Sequence, residues 1–141
     1  MRFMILLKSD AHTEAGAMPD EAMLTAMTKY NEELVKAGVM RAGEGLHASA
    51  KGARVRFAGK SRSVARGPFP NPEQLLAGFW IFEVKSLDEA IEWVKRCPNP
   101  LEGDAEIEIR QIAESEDFGD ELTPELREKE ARMRRQIEER K

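Results

Sequence analysis

Apolar positions follow two periods along this chain. Arg2-Phe3-Met4-Ile5-Leu6-Leu7-Lys8 is a short apolar run with charged ends, the pattern of a buried strand. The polar residues 9–18 read as a loop. Pro19 opens a helix in its first turn, with Asp20 and Glu21 at the positive end of the helix dipole. Met23, Met27, Tyr30, Leu34 and Ala37 then recur at spacings of three or four, one apolar stripe, and Gly38 ends the helix. Val39-Met40 starts a second strand that breaks into Ala42-Gly43-Glu44-Gly45-Leu46. Residues 53–66 alternate as a hairpin around Gly59-Lys60, placing Val55 opposite Val64 on an inner side and Arg54, Arg56 and Ser63 outward. The prolines of the segment Arg66 to Pro72 forbid regular pairing and make it a rigid connector. Gly78 to Val84 is the strongest strand. Ser86, with Glu89 three residues on, caps a second helix whose apolar face is Leu87, Ala90, Ile91 and Val94, and which ends at Cys97-Pro98. Glu106 to Ile112 alternates charged and apolar through Arg110, a strand with one wet face or edge.

The order strand, helix, strand or hairpin, strand, helix, strand predicts an α+β, ferredoxin-like βαββαβ unit with an antiparallel sheet. Its helices cover one face of the sheet. Yet Phe79 and Ile81 oppose Trp80, Phe82 and Val84 across the central strand, and Met4 and Leu6 oppose Phe3, Ile5 and Leu7, so both faces are apolar. An uncovered apolar face is rare on soluble monomers. The expected solution is a homodimer packed sheet to sheet, a dimeric α+β barrel; the competing one folds the C-terminal helix over that face.

Composition adds a boundary. The 141 residues are 34% charged with a net charge of −4. Residues 1–112 read as the domain. Residues 113–122 are an acidic linker around Phe118-Gly119, and 123–141 a helix in which 12 of 19 residues are charged, over a thin seam of Leu126, Met133 and Ile137. No apolar run reaches the roughly 18 residues of a membrane span. The single cysteine excludes an internal disulfide and fits a reducing, cytoplasmic setting.

Few residues carry chemistry. His47 follows Glu44-Gly45-Leu46 and is a candidate general base beside a carboxylate, although a lone histidine with no partner assignable from sequence reads first as a surface-loop residue. His12, His47 and Cys97 match no metal-ligand spacing, and Gly43-x-Gly45 is too short for a dinucleotide fingerprint, so neither metal nor cofactor is expected. Between Glu44 and Glu73 there is no acid, but there are Lys51, Arg54, Arg56, Lys60, Arg62 and Arg66. They read either as a solvated hairpin face or as a site for a small anion, with Arg66, beside rigid Gly67-Pro68, best placed to bind it. Nucleic acid is disfavoured because aromatics do not interleave with the basic residues. Trp80 and Arg41 complete the candidate ligand-binding set, although Trp80 also reads as core.

The ordered set Ala37-Gly38-Val39, Ala42-Gly43-Glu44-Gly45-Leu46, Gly67-Pro68-Phe69, Glu73-Gln74-Leu75, Gly78-Phe79, Val84, Ser86 to Ala90, Trp93, Arg96-Cys97-Pro98 and Ile107 to Arg110 resembles the YCII-related domain family, in its DGPF-type branch. The resemblance spans residues 1–112 and implies a dimeric ferredoxin-like barrel. It also implies, from some family members, a lyase that eliminates halide by means of a His-Asp pair, the His lying on the first helix. Here the expected first helix has no His, and Arg66 stands in the place of the DGPF aspartate, a permanent cation for an acid-base group. The expected function is a homodimer with a cleft for a small organic acid, in which Arg66 holds a carboxylate and His47 with Glu44 moves protons. The alternative is a non-catalytic interaction protein acting through the basic hairpin and the charged C-terminal helix.

Overall fold

The computed structural model describes residues 1–101 and 103–140; Glu102 and Lys141, the last residue of the expected C-terminal helix, lie outside them. The chain runs β1 (Arg2–Lys8), α1 (Ala11–Glu14), α2 (Glu21–Lys36), β2 (Met40–Gly45), β3 (Ala53–Ala58), β4 (Ser61–Arg66), β5 (Leu76–Glu83), α3 (Leu87–Lys95), β6 (Ile107–Gln111) and α4 (Pro124–Glu139). It divides into two compact units, Met1–Gln111 and Ile112–Lys141.

In the first unit, β2, β5, β1 and β6 form one antiparallel sheet in that order, the ferredoxin-like arrangement. Register decides the faces. Phe3 pairs with Phe82, and Ile5 pairs with both Trp80 and Ile109, so these side chains share one face. Tyr30 and Leu34 of α2 and Ala90 of α3 join that face in the buried core, with Val39 and Val84. Met4 pairs with Ile81 and Leu6 with Phe79 on the opposite face, where all four remain half-buried. The two-faced character of β1 and β5 is therefore real, and one apolar face is less well covered than the other.

Trp80 organises the covered face. Its indole N–H donates to Asn31 Oδ1 at 3.0 Å, and its ring meets Tyr30 edge-on with centroids 5.5 Å apart. Opposite it on β2 stands Gly43, where a Cβ would come within 2.6 Å of the indole, so only glycine leaves room for the ring. Tyr30 in turn donates its hydroxyl to Trp93 O at 2.7 Å, joining α2 to α3.

Local chemistry moves several predicted boundaries. Asp20, not Pro19, starts α2: its carboxylate accepts the Met23 N–H at 2.8 Å, leaving Pro19 outside the helix. The predicted loop after β1 contains α1, because Asp10 accepts the Thr13 N–H in the same way. Ser86 caps α3 as expected, but the helix ends at Lys95, and Leu87 is exposed. The hairpin register is as read, Val55 opposite Val64 and Ala58 opposite Ser61. Its inner side is not: β3 and β4 form a sheet of their own, and Val55, Phe57 and Val64 are all exposed.

In the second unit, the acidic stretch read as a linker is folded. Residues Ser115–Glu121 make 3-10 turns that kink at Gly119, whose φ of 66° favours glycine. Arg127 of α4 donates to the carbonyls of Ser115, Gly119 and Leu122, each at 3.0 Å. Thr123 caps α4 by accepting from the Leu126 N–H. Leu126, Met133 and Ile137 are exposed. No helix among the described residues is long and apolar enough to cross a membrane.

Cys97, just beyond α3, is half-buried, and burial pushes its thiol up to about 11. It is therefore expected to resist alkylation at neutral pH until the protein is unfolded. The unfolded thiol titrates near its ordinary 9.0, so the fold's preference for the neutral form is fully present below pH 9 and is lost as pH rises toward 11. Denaturant unfolding of wild type and Cys97→Ser across that window checks this: the variant should lose stability less steeply. Rapid labelling of the native thiol at pH 7 would contradict it.

Candidate functional site

One end of the four-stranded sheet collects three connections. The chain leaves β1 into Ser9, Asp10 and α1, leaves β2 into Leu46-His47-Ala48, and enters β5 from the connector that follows β4. Backbone pairing continues past the strands here: Ser9 N–H donates to Leu75 O at 2.9 Å and Leu46 N–H to Ala77 O at 2.8 Å.

A single side chain ties the three connections together. The Glu14 carboxylate accepts the Ser49 N–H on one oxygen, at 2.9 Å, and the Ser49 hydroxyl on the other. Ser49 Oγ then accepts the Phe69 N–H at 2.9 Å. Next to it, Gly67 N–H donates to Gly52 O at 3.0 Å, and the backbones pass so closely that a Cβ on Gly67 would lie 1.7 Å from Ser49 O. The Gly67-Pro68 peptide is cis. The Phe69 ring carries the Arg54 guanidinium 4.0 Å above its centroid.

The expected site residues divide by position. His47 is exposed, two residues before Ser49, and Arg66 ends β4 immediately before Gly67, so both belong to this sheet end. Glu44 is exposed and pairs with Phe79, on the less covered face. Trp80 lies on the other face, buried in the core and hydrogen-bonded to Asn31; it is a packing residue and is not available to stack on a ligand. Arg41 lies at the far end of β2, its Nε 2.8 Å from Glu83 Oε2. The space between the helices and the sheet is filled by the core. A depression of about 360 Å³ runs along α2 and is lined by Glu21, Leu24, Thr25, Thr28, Lys29 and Glu32.

Two residues that sequence reasoning passed over, Glu14 and Ser49, fill this end instead, together with His12 on α1 and Arg54. The Thr13 backbone N–H holds the Asp10 carboxyl below the usual carboxylate range, against the opposing effect of burial, with smaller help from the Thr13 hydroxyl and from His12. No spacing rule links Glu14, Ser49 and Phe69. The available signal was the rigid Gly67-Pro68-Phe69 segment, whose backbone N–H groups needed acceptors from elsewhere. Chemically, the end presents an oriented carboxylate with lone pairs to spare, histidines on two of its connections, and two arginines at the root of the hairpin.

Ser49→Ala should lower stability by about 1–3 kcal/mol, since it removes the donor to Glu14 and the acceptor for the Phe69 N–H together. Urea unfolding measures this, and an unchanged midpoint would mean that the hydroxyl does not hold the connections.

The chain is similar to known proteins. A protein of Rhizobium meliloti (strain 1021), described only as uncharacterised, is 26% identical over 94 residues, 67% of this chain and 76% of its own. A solved structure of 5-chloro-2-hydroxyhydroquinone dehydrochlorinase from Burkholderia phenoliruptrix AC1100, in complex with 2,5-dihydroxybenzoquinone, aligns over 82% of this chain and 97% of its own at 16% identity and a TM-score of 0.47. The family model described as YCII-related domain matches residues 1–115. With that match covering most of its length and the ferredoxin-like sheet in place, the chain belongs to the YCII-related domain family.

Proposed function

We propose that the protein is a cytoplasmic homodimer that binds a small organic acid at the β1–β2–β5 end of its sheet and acts on it, in a lyase-like or other small-molecule reaction. One observation carries the reading. The hairpin root is bonded to the loop end through Gly67 to Gly52 and Phe69 to Ser49, which brings the end of β4, with Arg66, to the loop that bears His47. Arg66 binds the ligand carboxylate, for which a planar guanidinium is the best-matched donor. His47 moves the proton, with Glu44 or the better-held Glu14 as its carboxylate partner.

The homodimer is supported by the less covered sheet face. Met4, Leu6, Phe79 and Ile81 form one apolar patch there, and a second copy offers the same patch. A second reading, an interaction protein without catalysis, is favoured by the apolar side chains exposed among charges on the hairpin and on α4.

A thermal-shift screen against small carboxylates tests the ligand. Stabilisation by several degrees at saturating acid is expected, and it should be absent in Arg66→Ala. If no acid shifts wild type, the site reading fails and the interaction protein takes its place. Light scattering at micromolar concentration should give twice the chain mass; a stable monomer would refute the homodimer.

A further inference from the structure

We infer that the ligand of this sheet end is a small acid that also carries a hydrogen-bond donor, a hydroxyl or an ammonium group, and that Glu14 is the residue that reads the donor; the inference rests on the ligand site proposed above. Two carboxylates, Glu44 and Glu14, stand near His47, and geometry separates them. Glu44 pairs with Phe79 on the less covered sheet face, the face assigned to the second copy. Glu14 is the last residue of α1, half-buried at the sheet end itself.

The Glu14 carboxylate is fixed in place. One oxygen accepts the Ser49 N–H at 2.9 Å, and the other accepts the Ser49 hydroxyl. Both donors belong to one residue, so the carboxylate cannot turn without losing one of them. Ser49 is held in turn by the Phe69 N–H, 2.9 Å from its hydroxyl oxygen. These bonds leave acceptor capacity over. An ionised carboxylate has about four acceptor positions, and Ser49 takes one on each oxygen. Among the described residues no lysine, arginine or histidine forms an ion pair with Glu14. A rigid anion with spare lone pairs and no counter-charge accepts an O–H or N–H from outside and repels a second carboxylate.

Arg66 supplies the other pole. Gly67, next to it in the chain, passes so close to Ser49 that a Cβ would lie 1.7 Å from Ser49 O. Arg66 and the Glu14 carboxylate therefore flank the same residue, one from the hairpin root and the other from α1. A permanent cation and a fixed anion on either side of Ser49 suit a ligand with two unlike groups: a carboxylate for Arg66 and a donor for Glu14.

Calorimetry on the full chain tests this with acids in matched sets: propionate against lactate and alanine, and benzoate against the hydroxybenzoates. In wild type at least one donor-bearing acid should bind about tenfold or more tightly than its parent, the ratio expected from one hydrogen bond to a charged group. In Glu14→Gln that ratio should fall towards unity, while the parent acid binds as well as before or better because a like charge has gone. The O-methyl ethers of the hydroxy acids, which keep the oxygen and lose the donor, should bind wild type no better than the parents, a check that needs no variant protein. Parent and derivative binding alike in wild type, a ratio that survives in Glu14→Gln, or a Glu14→Gln that weakens both acids equally would overturn the donor reading and leave the acid site standing. If no acid binds wild type, or if binding is indifferent to Arg66→Ala, the acid site falls and the donor reading with it.

Discussion

The packing of Trp80 against Gly43 is the constraint on which the first unit depends. The indole fills the space that a side chain on β2 would take, so β2 pairs with β5 in a register that keeps glycine opposite the ring. A slip by one residue would also turn every side chain of β2 to the wrong face. The same ring fixes α2 through Asn31 and Tyr30, and Tyr30 fixes α3 through the Trp93 carbonyl. Two helices and an edge strand are thus positioned from one residue of the central strand. Where β2 ends, and hence where the His47 loop begins, follows from that register.

Most of this architecture was legible in the chain because it rests on short-range periodicity. The apolar run in β5, the stripe on α2 and the Ser86 cap each act within one element, and each formed where expected. The failures came where a polar side chain competed for backbone N–H groups over three residues. Asp10 made a helix from a segment read as loop, and Asp20 displaced Pro19 as the helix start. The hairpin shows a different limit. Its register is a local property and was read correctly, but whether its apolar side faces protein or water depends on contacts far away in sequence, which alternation does not encode.

The site was less legible for the same reason. His47 and Arg66 were visible as chemistry-bearing types, and they do share one end of the sheet. Trp80 and Arg41 were visible too, yet one is consumed by the core and the other by Glu83. Glu14 and Ser49 look like ordinary loop residues, since 35 positions separate them, and a further 20 lie between Ser49 and Phe69. Their importance exists only once the sheet has brought three connections to one place.

That shared hydroxyl couples the loops in another respect. Surface connections usually tolerate insertions and deletions independently of one another. Here the spans from β1 to Glu14, from β2 to Ser49 and from Phe69 to β5 must all end at the same point, with no clearance between Gly67 and the Ser49 carbonyl. Changing the length of one would strand the other two. Beyond the Gly52–Gly67 bond that closes its root, the hairpin is free of this restriction. Variation in chain length at this end of the molecule is therefore channelled outward, into the ribbon, while the floor beneath it keeps fixed dimensions.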